Sequence, residues 1–388
     1  MRLGVRIENY KSFGKNFEIE FGPLSIVAGP NAAGKSNLIS ALAFVKNAVI
    51  SNNLQSATAG RWDDIRCRKR YGVKEMGFGI EVKFRERHIE YSFIIRRDGD
   101  DDPDVVVQRE TARVDGRGYE RVNAQRVETT QGPASGVDTF KDFLDRLGKD
   151  ELEEWKDRLL ASMKIPVAGL YVYDFVSRWE FFNVDPETAR EACMEGQQLT
   201  ERGKGLPNLL KEIEEARSDE LAEAKRRVNE HMEYLVPGFE KWETKTQTNG
   251  TIIFLVKERK TKKKFPPDGV SDGTVRLLCI LGLIFHPYKK HSLIVIEEIE
   301  KALHPKVLEN LVSVLRAAAK DRFIIVTTHS PSVVRACKRE ELILIDKKRG
   351  FSQVYYPHKQ AEIDRFLEEF SLDELWLKGL LGQKGLPF

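Results

Sequence analysis

Cysteine is scarce. The 388 residues include only four, Cys67, Cys193, Cys279 and Cys337. None are paired at metal-ligand spacing, and so few scattered thiols imply no disulfide scaffold. They read as buried or half-buried thiols in a reducing cytosol. Long apolar runs are also missing. No stretch approaches the ~18 residues of a membrane crossing, and no signal peptide precedes the first strand pattern. A cytoplasmic protein with no membrane partner is expected. Net charge is small, since 63 basic less 60 acidic residues leaves +3. Global charge therefore does not announce a nucleic-acid binder, and local patches must carry any such role. A chain of 388 residues is long enough for two domains, or one large domain with an insertion. It buries roughly three quarters of its surface.

What is present is concentrated in a few stretches. Gly29-Pro30-Asn31-Ala32-Ala33-Gly34-Lys35-Ser36 fits the phosphate-binding pattern G-x-x-x-x-G-K-[ST]. Residues 24–28 before it read as a short buried strand, and residues 37–45 after it as a helix with an apolar face. That is the strand–loop–helix setting the pattern needs. The glycines let backbone N–H groups turn inward around phosphate oxygens, and the helix N-terminus adds its partial positive charge. Lys35 is expected to reach the β- and γ-phosphates, and the Ser36 hydroxyl to sit on Mg²⁺.

Residues 292–296 form an apolar run ending in Glu297 and Glu298. Such a run reads as a strand buried on both faces of a parallel sheet. Acidic residues at its end lie where ligands bind in open α/β sheets. Glu297 is expected to help hold Mg²⁺, and Glu298 to orient and deprotonate an attacking water. A second buried strand, residues 323–328, leads into His329, a contact for the γ-phosphate or a structural histidine. Ser271-Asp272-Gly273-Thr274 opens a strongly apolar helix, with Ser271 or Asp272 as its N-cap.

Together these stretches resemble ABC-type ATPases of the RecF/SMC/OLD branch. The loop at residues 29–37, ending in Asn37, resembles the form used there. So does the opening Ile7-Glu8-Asn9-Tyr10-Lys11-Ser12-Phe13. The resemblance makes Ser271–Thr274 the signature segment, Glu297–Glu298 the Walker B pair, Leu303-His304-Pro305 the D-loop and His329 the switch histidine. It also adds Asn37, Lys11 and Ser12 to the expected nucleotide contacts. A nearer likeness is to stand-alone ATPases of the AAA family found among OLD-like proteins. Gly203–Leu210 and Ser371–Trp376 share in it. The resemblance implies two heads closing on ATP, as a homodimer or higher homo-oligomer, with Ser271–Thr274 acting in trans. It further implies anti-phage defence with a separately encoded nuclease or toxin effector. Two positions depart from the family pattern. Glu297 stands where Asp is usual, and Ile299 replaces a proline. A slowly hydrolysing or non-hydrolysing scaffold that holds its effector is therefore the alternative. Gln55 and Gln108 are the candidates for a Q-loop.

The fold expected is α/β: an ABC-ATPase head with a mixed or parallel core sheet, an antiparallel β lobe and an inserted helical lobe. The expected divisions are 1–135, with the P-loop and the antiparallel strands; 136–250, the helical lobe; 251–350, with signature, Walker B and switch histidine; and 351–388, an amphipathic tail. Residues 138–164 and 206–234 carry helical patterns. Their heptads are too few and too interrupted for a long coiled coil. The Asp98–Pro103 cluster reads as a loop. Two basic stretches, residues 66–70 and 257–264, are either DNA or RNA contacts or solvated tips. Neither interleaves aromatics, so base stacking is not supported. The tail from Ile363 to Leu381 either packs on the core or docks another protein.

Overall fold

The computed structural model describes residues 1–51, 62–67, 72, 74–84, 86–97, 105–124, 167–261, 263–360 and 363–381. The elements begin with β1 (Arg2–Glu8), β2 (Phe17–Phe21), β3 (Leu24–Ala28) and helix α1 (Lys35–Ser51). A short α2 (Trp62–Ile65) leads to β4 (Glu75–Phe84), β5 (Arg87–Arg97), β6 (Val105–Val114), β7 (Arg117–Ala124) and α3 (Val167–Ser177). Then come β8 (Trp179–Phe182), α4 (Pro186–Arg190), α5 (Leu206–Glu215), α6 (Asp219–Leu235), β9 (Phe239–Thr246), β10 (Ile252–Glu258) and β11 (Lys264–Phe265). The last third holds α7 (Asp272–Phe285), β12 (Leu293–Ile296), α8 (Pro305–Ala318), β13 (Phe323–Thr328), α9 (Pro331–Ala336), β14 (Leu342–Lys348), β15 (Phe351–Tyr355), α10 (Ile363–Leu367) and α11 (Leu372–Leu377).

The chain forms two compact units. The first comprises residues 1–20, 40–177 and 349–352. Its sheet runs β2-β1-β4-β5-β6-β7. From β1 through β4, β5 and β6 to β7, neighbours are antiparallel. Phe78, Phe93, Ile80 and Ile95 are buried among its alternating residues, and the opposite face carries charged side chains, as expected for a half-solvated antiparallel sheet.

The second unit comprises residues 21–39, 178–348 and 353–388. Its main sheet runs β15-β14-β3-β13-β12-β8. Around β3 the pairings β14–β3, β3–β13, β13–β12 and β12–β8 are all parallel. Every residue of β3, β12 and β13 is buried, the pattern of parallel strands covered on both faces. Helix α7 is buried continuously from Thr274 to Phe285, and a helix apolar all round belongs inside the core. Helix α6 is amphipathic instead. It buries Leu221, Ala224, Val228, Met232 and Leu235, and Ser218 caps it by accepting from the Leu221 amide.

Several sequence expectations are revised. The 136–250 stretch is not one helical lobe, because the chain passes between units at Ser177–Arg178 and contains strands β8 and β9. A division at 250 cuts β9 from β10, its antiparallel partner. The helix expected over 206–234 breaks at Ala216, which adopts φ 44°. The tail is two short helices that pack Ile363, Leu375 and Leu381 into the core, which favours packing over docking. The patterns at 138–164 and 98–103, Gln55 and residues 68–70 lie outside the described residues. All four cysteines are buried free thiols. Among the described residues no helix is long and apolar enough to cross a membrane.

Candidate functional site

Parallel strands end at the same edge of a sheet, so whatever follows them converges. The register aligns Ala28 with Thr328, and Ile296 with both Val326 and Phe182. The glycine loop, His329, Glu297 and Asn183 therefore leave the second unit's main sheet at neighbouring positions.

The loop itself is tightly seated. A Cβ on Gly29 would stand 2.1 Å from the Ile345 carbonyl oxygen, so only glycine fits beside β14. Gly34 takes φ 120° and Ala32 φ 61°. The buried Lys35 Nζ donates to the carbonyls of Gly29 (2.8 Å) and Pro30 (3.0 Å) and lies 3.4 Å from His329 Nδ1. Burial pulls the Lys35 ammonium down from its ordinary value to about 8, against the raising influence of Glu300 and Glu298. Burial and the neighbouring Lys35 cation also lower the His329 imidazole, which favours its neutral form. Ser36, Pro30, Asn31 and Ala32 are exposed, while Gly29, Ala33 and Gly34 are buried.

Glu297 and Glu298 differ sharply. The Glu297 amide donates to the Phe182 carbonyl at 2.7 Å. Burial, then the nearby Glu201 and Glu298 carboxylates, push the Glu297 acid up. Glu298 adopts φ 45°, its amide donates to Thr327 Oγ1 at 3.0 Å, and its carboxylate pairs with Lys301. The Lys301 contact holds the Glu298 acid down. The turn after β12 thus supplies Glu298, the expected base, with a cation of its own.

Two residues escaped the sequence reading. Glu300 accepts the Thr328 hydroxyl (2.9 Å) and the His329 amide (2.6 Å), which fixes the end of β13. Its signal was faint, a third carboxylate two residues beyond Glu298. Asn183 follows β8 beside Glu297, but no pattern marked the four-residue β8 as a strand. Gln108 lies in β6 of the first unit's sheet.

Ser271 and Asp272 are exposed at the start of α7. Ser271 is the N-cap: its Oγ accepts from the Thr274 amide at 3.2 Å and contacts Thr274 Oγ1 at 2.8 Å. Asp272 pairs with Arg190 at 2.5 Å. His304 caps α8 by accepting from the Lys306 amide. In the first unit, Lys11 takes φ 47° and donates from Nζ to Ser40 Oγ at 2.7 Å, and Ser12 is buried. In the 257–264 stretch Lys257 pairs with Glu240, Arg259 with Glu233 and Lys264 with Glu243. Those pairings favour a solvated tip over a free basic patch.

The residues present fit a phosphate and a divalent cation. Lys35 is a desolvated cation resting on carbonyls, and no acidic residue occupies the first turn of α1. Ser36 and Glu297 offer hard oxygen donors, and the crowding of like charge around Glu297 suits a cation.

The family model described as "AAA domain, putative AbiEii toxin, Type IV TA system" matches residues 24–335. The chain belongs to this AAA_21 family. The AAA_21 chain also shares its fold with structures of SMC heads. One is an SMC head bound to the C-terminal winged-helix domain of ScpA, at 13% identity and TM-score 0.57, covering 91% of this chain and 96% of that one. Another is the Pyrococcus furiosus SMC head with an extended coiled coil, bound to the C-terminal domain of ScpA. It matches at 14% identity and TM-score 0.52, covering 95% and 100%. At these identities the likeness is one of fold. A search among curated proteins gives no match. The family match makes the chain an AAA-domain protein, and its fold is that of SMC heads, as its motifs led one to expect.

Proposed function

We propose that the chain binds and hydrolyses ATP with Mg²⁺ as a homodimer or higher homo-oligomer in the cytoplasm. ATP-driven closure then works on a separately encoded effector, a nuclease or toxin, in a nucleic-acid-linked process such as anti-phage defence. The observation that carries the enzymatic reading is the convergence of Lys35, Glu297, Glu298 and His329 at one edge of one sheet. The family description names a toxin, and the SMC heads are titled as complexes with ScpA. Both support an ATPase that works through a second protein.

In this reading Lys35 exchanges the Gly29 and Pro30 carbonyls for β- and γ-phosphate oxygens. Ser36 and Glu297 hold Mg²⁺, which when bound supplies charge neutralisation along the phosphates. With Nδ1 facing Lys35, the neutral His329 carries its proton on Nε2 and can donate it to a γ-phosphate oxygen. Glu298 parts from Lys301 and takes the proton of the attacking water as the bond from γ-phosphorus to the bridging oxygen breaks. The exposed Ser271 and the free N–H groups of α7 close on the γ-phosphate of the other subunit.

One observation favours a second reading, a scaffold that binds ATP without turning it over: Glu298 rests against Lys301. Release of phosphate from ATP by the purified chain separates the two. Steady release that vanishes in Lys35→Ala is expected. Tight ATP binding with no release would give the scaffold, and no binding at all would end the P-loop reading.

A further inference from the structure

Helix α7 meets the turn after β12 at two points. Glu298 (φ 45°) and Ala302 (φ 58°) are both left-handed without being glycine, a conformation that persists only where surroundings impose it. Arg276 donates from Nη2 to the Glu298 carbonyl (3.1 Å) and from Nη1 to the Val184 carbonyl (2.6 Å). The Lys301 amide shares the Glu298 carbonyl, at 3.0 Å. Three residues before Arg276, Gly273 lies against the far end of the turn. A Cβ there would stand 2.6 Å from the Ala302 carbonyl oxygen. Residues three apart share a helix face, so one face of α7 abuts both left-handed residues.

Arg276 is 1% exposed. Its hydrogen bonds run to carbonyls, and its buried Nε has no partner. Burial lowers its affinity for the proton. Replacing buried charge by well-packed apolar side chains of similar volume is often neutral or stabilising. Stability alone therefore does not account for Arg276. What the guanidinium does achieve is a mechanical link from the second turn of α7, one turn after Ser271, to the backbone of Glu298.

We propose that Arg276 is a positioning residue that ties Glu298 to the signature helix, so that contact between Ser271–Thr274 and the nucleotide on the partner subunit is passed to Glu298 of the same chain. The proposal rests on the dimeric ATPase reading above and deepens it. Each chain's carboxylate then answers to the nucleotide held by the other, and turnover depends cooperatively on ATP.

The test uses the full chain with Arg276→Met and Arg276→Lys. In Arg276→Met, affinity for Mg·ATP should stay within about twofold while turnover at saturating ATP falls roughly 10²-fold, the scale of a misplaced reacting group. Arg276→Lys, which reaches one carbonyl, should recover part of the loss. In a Glu298→Gln background the Met substitution should cost nothing further, because Arg276 acts through Glu298. Hydrogen exchange provides a readout that needs no hydrolysis. The Glu298 and Lys301 amides should exchange about tenfold faster in Arg276→Met, with P-loop amides unchanged. If the chain binds ATP without turning it over, the hydrolytic reading fails while the exchange result still decides the link. If Arg276→Met does not fold, Arg276→Lys is read at the same two amides, with an intermediate increase expected. Unchanged exchange there, or losses that multiply in the double variant, would overturn the proposal.

Discussion

The two six-stranded sheets handle polar chemistry in opposite ways. In the second unit β3, β8, β12, β13 and β14 run parallel, so their carboxyl ends share an edge. A desolvated lysine, two unlike carboxylates and a neutral histidine gather there. In the first unit consecutive strands alternate in direction, and their ends fall on opposite edges. Its charges settle into exposed pairs such as Arg2–Glu20, Arg6–Glu18 and Arg109–Glu120. Such pairs contribute little. The parallel topology concentrates function, while the antiparallel one disperses its charge over a surface.

Substitutions at the two sheets should therefore have very different effects. Lys35→Ala should weaken ATP binding by roughly 10²-fold or more, the scale of removing one partner of a buried charge contact. Equilibrium binding measures it, and unchanged affinity would remove the site from this edge. Glu298→Gln should keep ATP bound while slowing phosphate release by roughly 10²–10⁴-fold, the range of a lost general base. If Glu297→Gln is dead and Glu298→Gln is not, the roles of the two carboxylates are reversed.

Acidity gives a milder test. Lys35 without nucleotide titrates at about 8, and phosphates favour its charged form. Below that pH the cation is already present, and binding does not depend on it. Above it, ATP must bring in a proton, so affinity should fall by about tenfold per pH unit at most. The same depression means that the unfolded chain holds more protons between about 8 and 10.5, so this group's contribution to stability rises with pH across that window. A flat affinity profile from about pH 8 to pH 9.5 would show Lys35 already charged in the empty loop. The smallest effect belongs to the first unit. Arg6→Ala should change stability by less than about 1 kcal/mol and leave turnover alone. Lost turnover would mean that the antiparallel sheet takes part in the chemistry.

What could be read without the structure follows the same division. Strands β3, β12 and β13 are continuous apolar runs that end in chemistry-bearing residues, so strand and site were legible together. The Ser271 cap was legible because a hydroxyl before an apolar helix has few other uses. Strand β8 was not, because Trp179–Phe182 is four residues with Glu180 among them and its strand character comes from pairing with β12. Asn183 was lost with it. Strand β9 was hidden because only Phe239 and Trp242 are buried among its charged residues, whereas its partner β10 carries the apolar run Ile252–Val256 and was readable in principle. Glu300 shows a further limit, as do the contacts of Arg276, although the place of Arg276 in a Ser-Asp-Gly-Thr-x-Arg pattern was legible. Their partners are backbone atoms and hydroxyls on other elements, and nothing in local spacing announces such contacts.

The proposed site is completed between two copies of the chain. Lys35→Ala lacks a P-loop cation but keeps its signature, and Ser271→Arg keeps its P-loop but blocks the signature. Each alone should be inactive. Phosphate release from an equal mixture, after subunit exchange is verified, is the direct measurement. Activity should return in part, because a mixed dimer holds one site with both elements intact. No return despite exchange, or full activity in a strictly monomeric preparation, would contradict it.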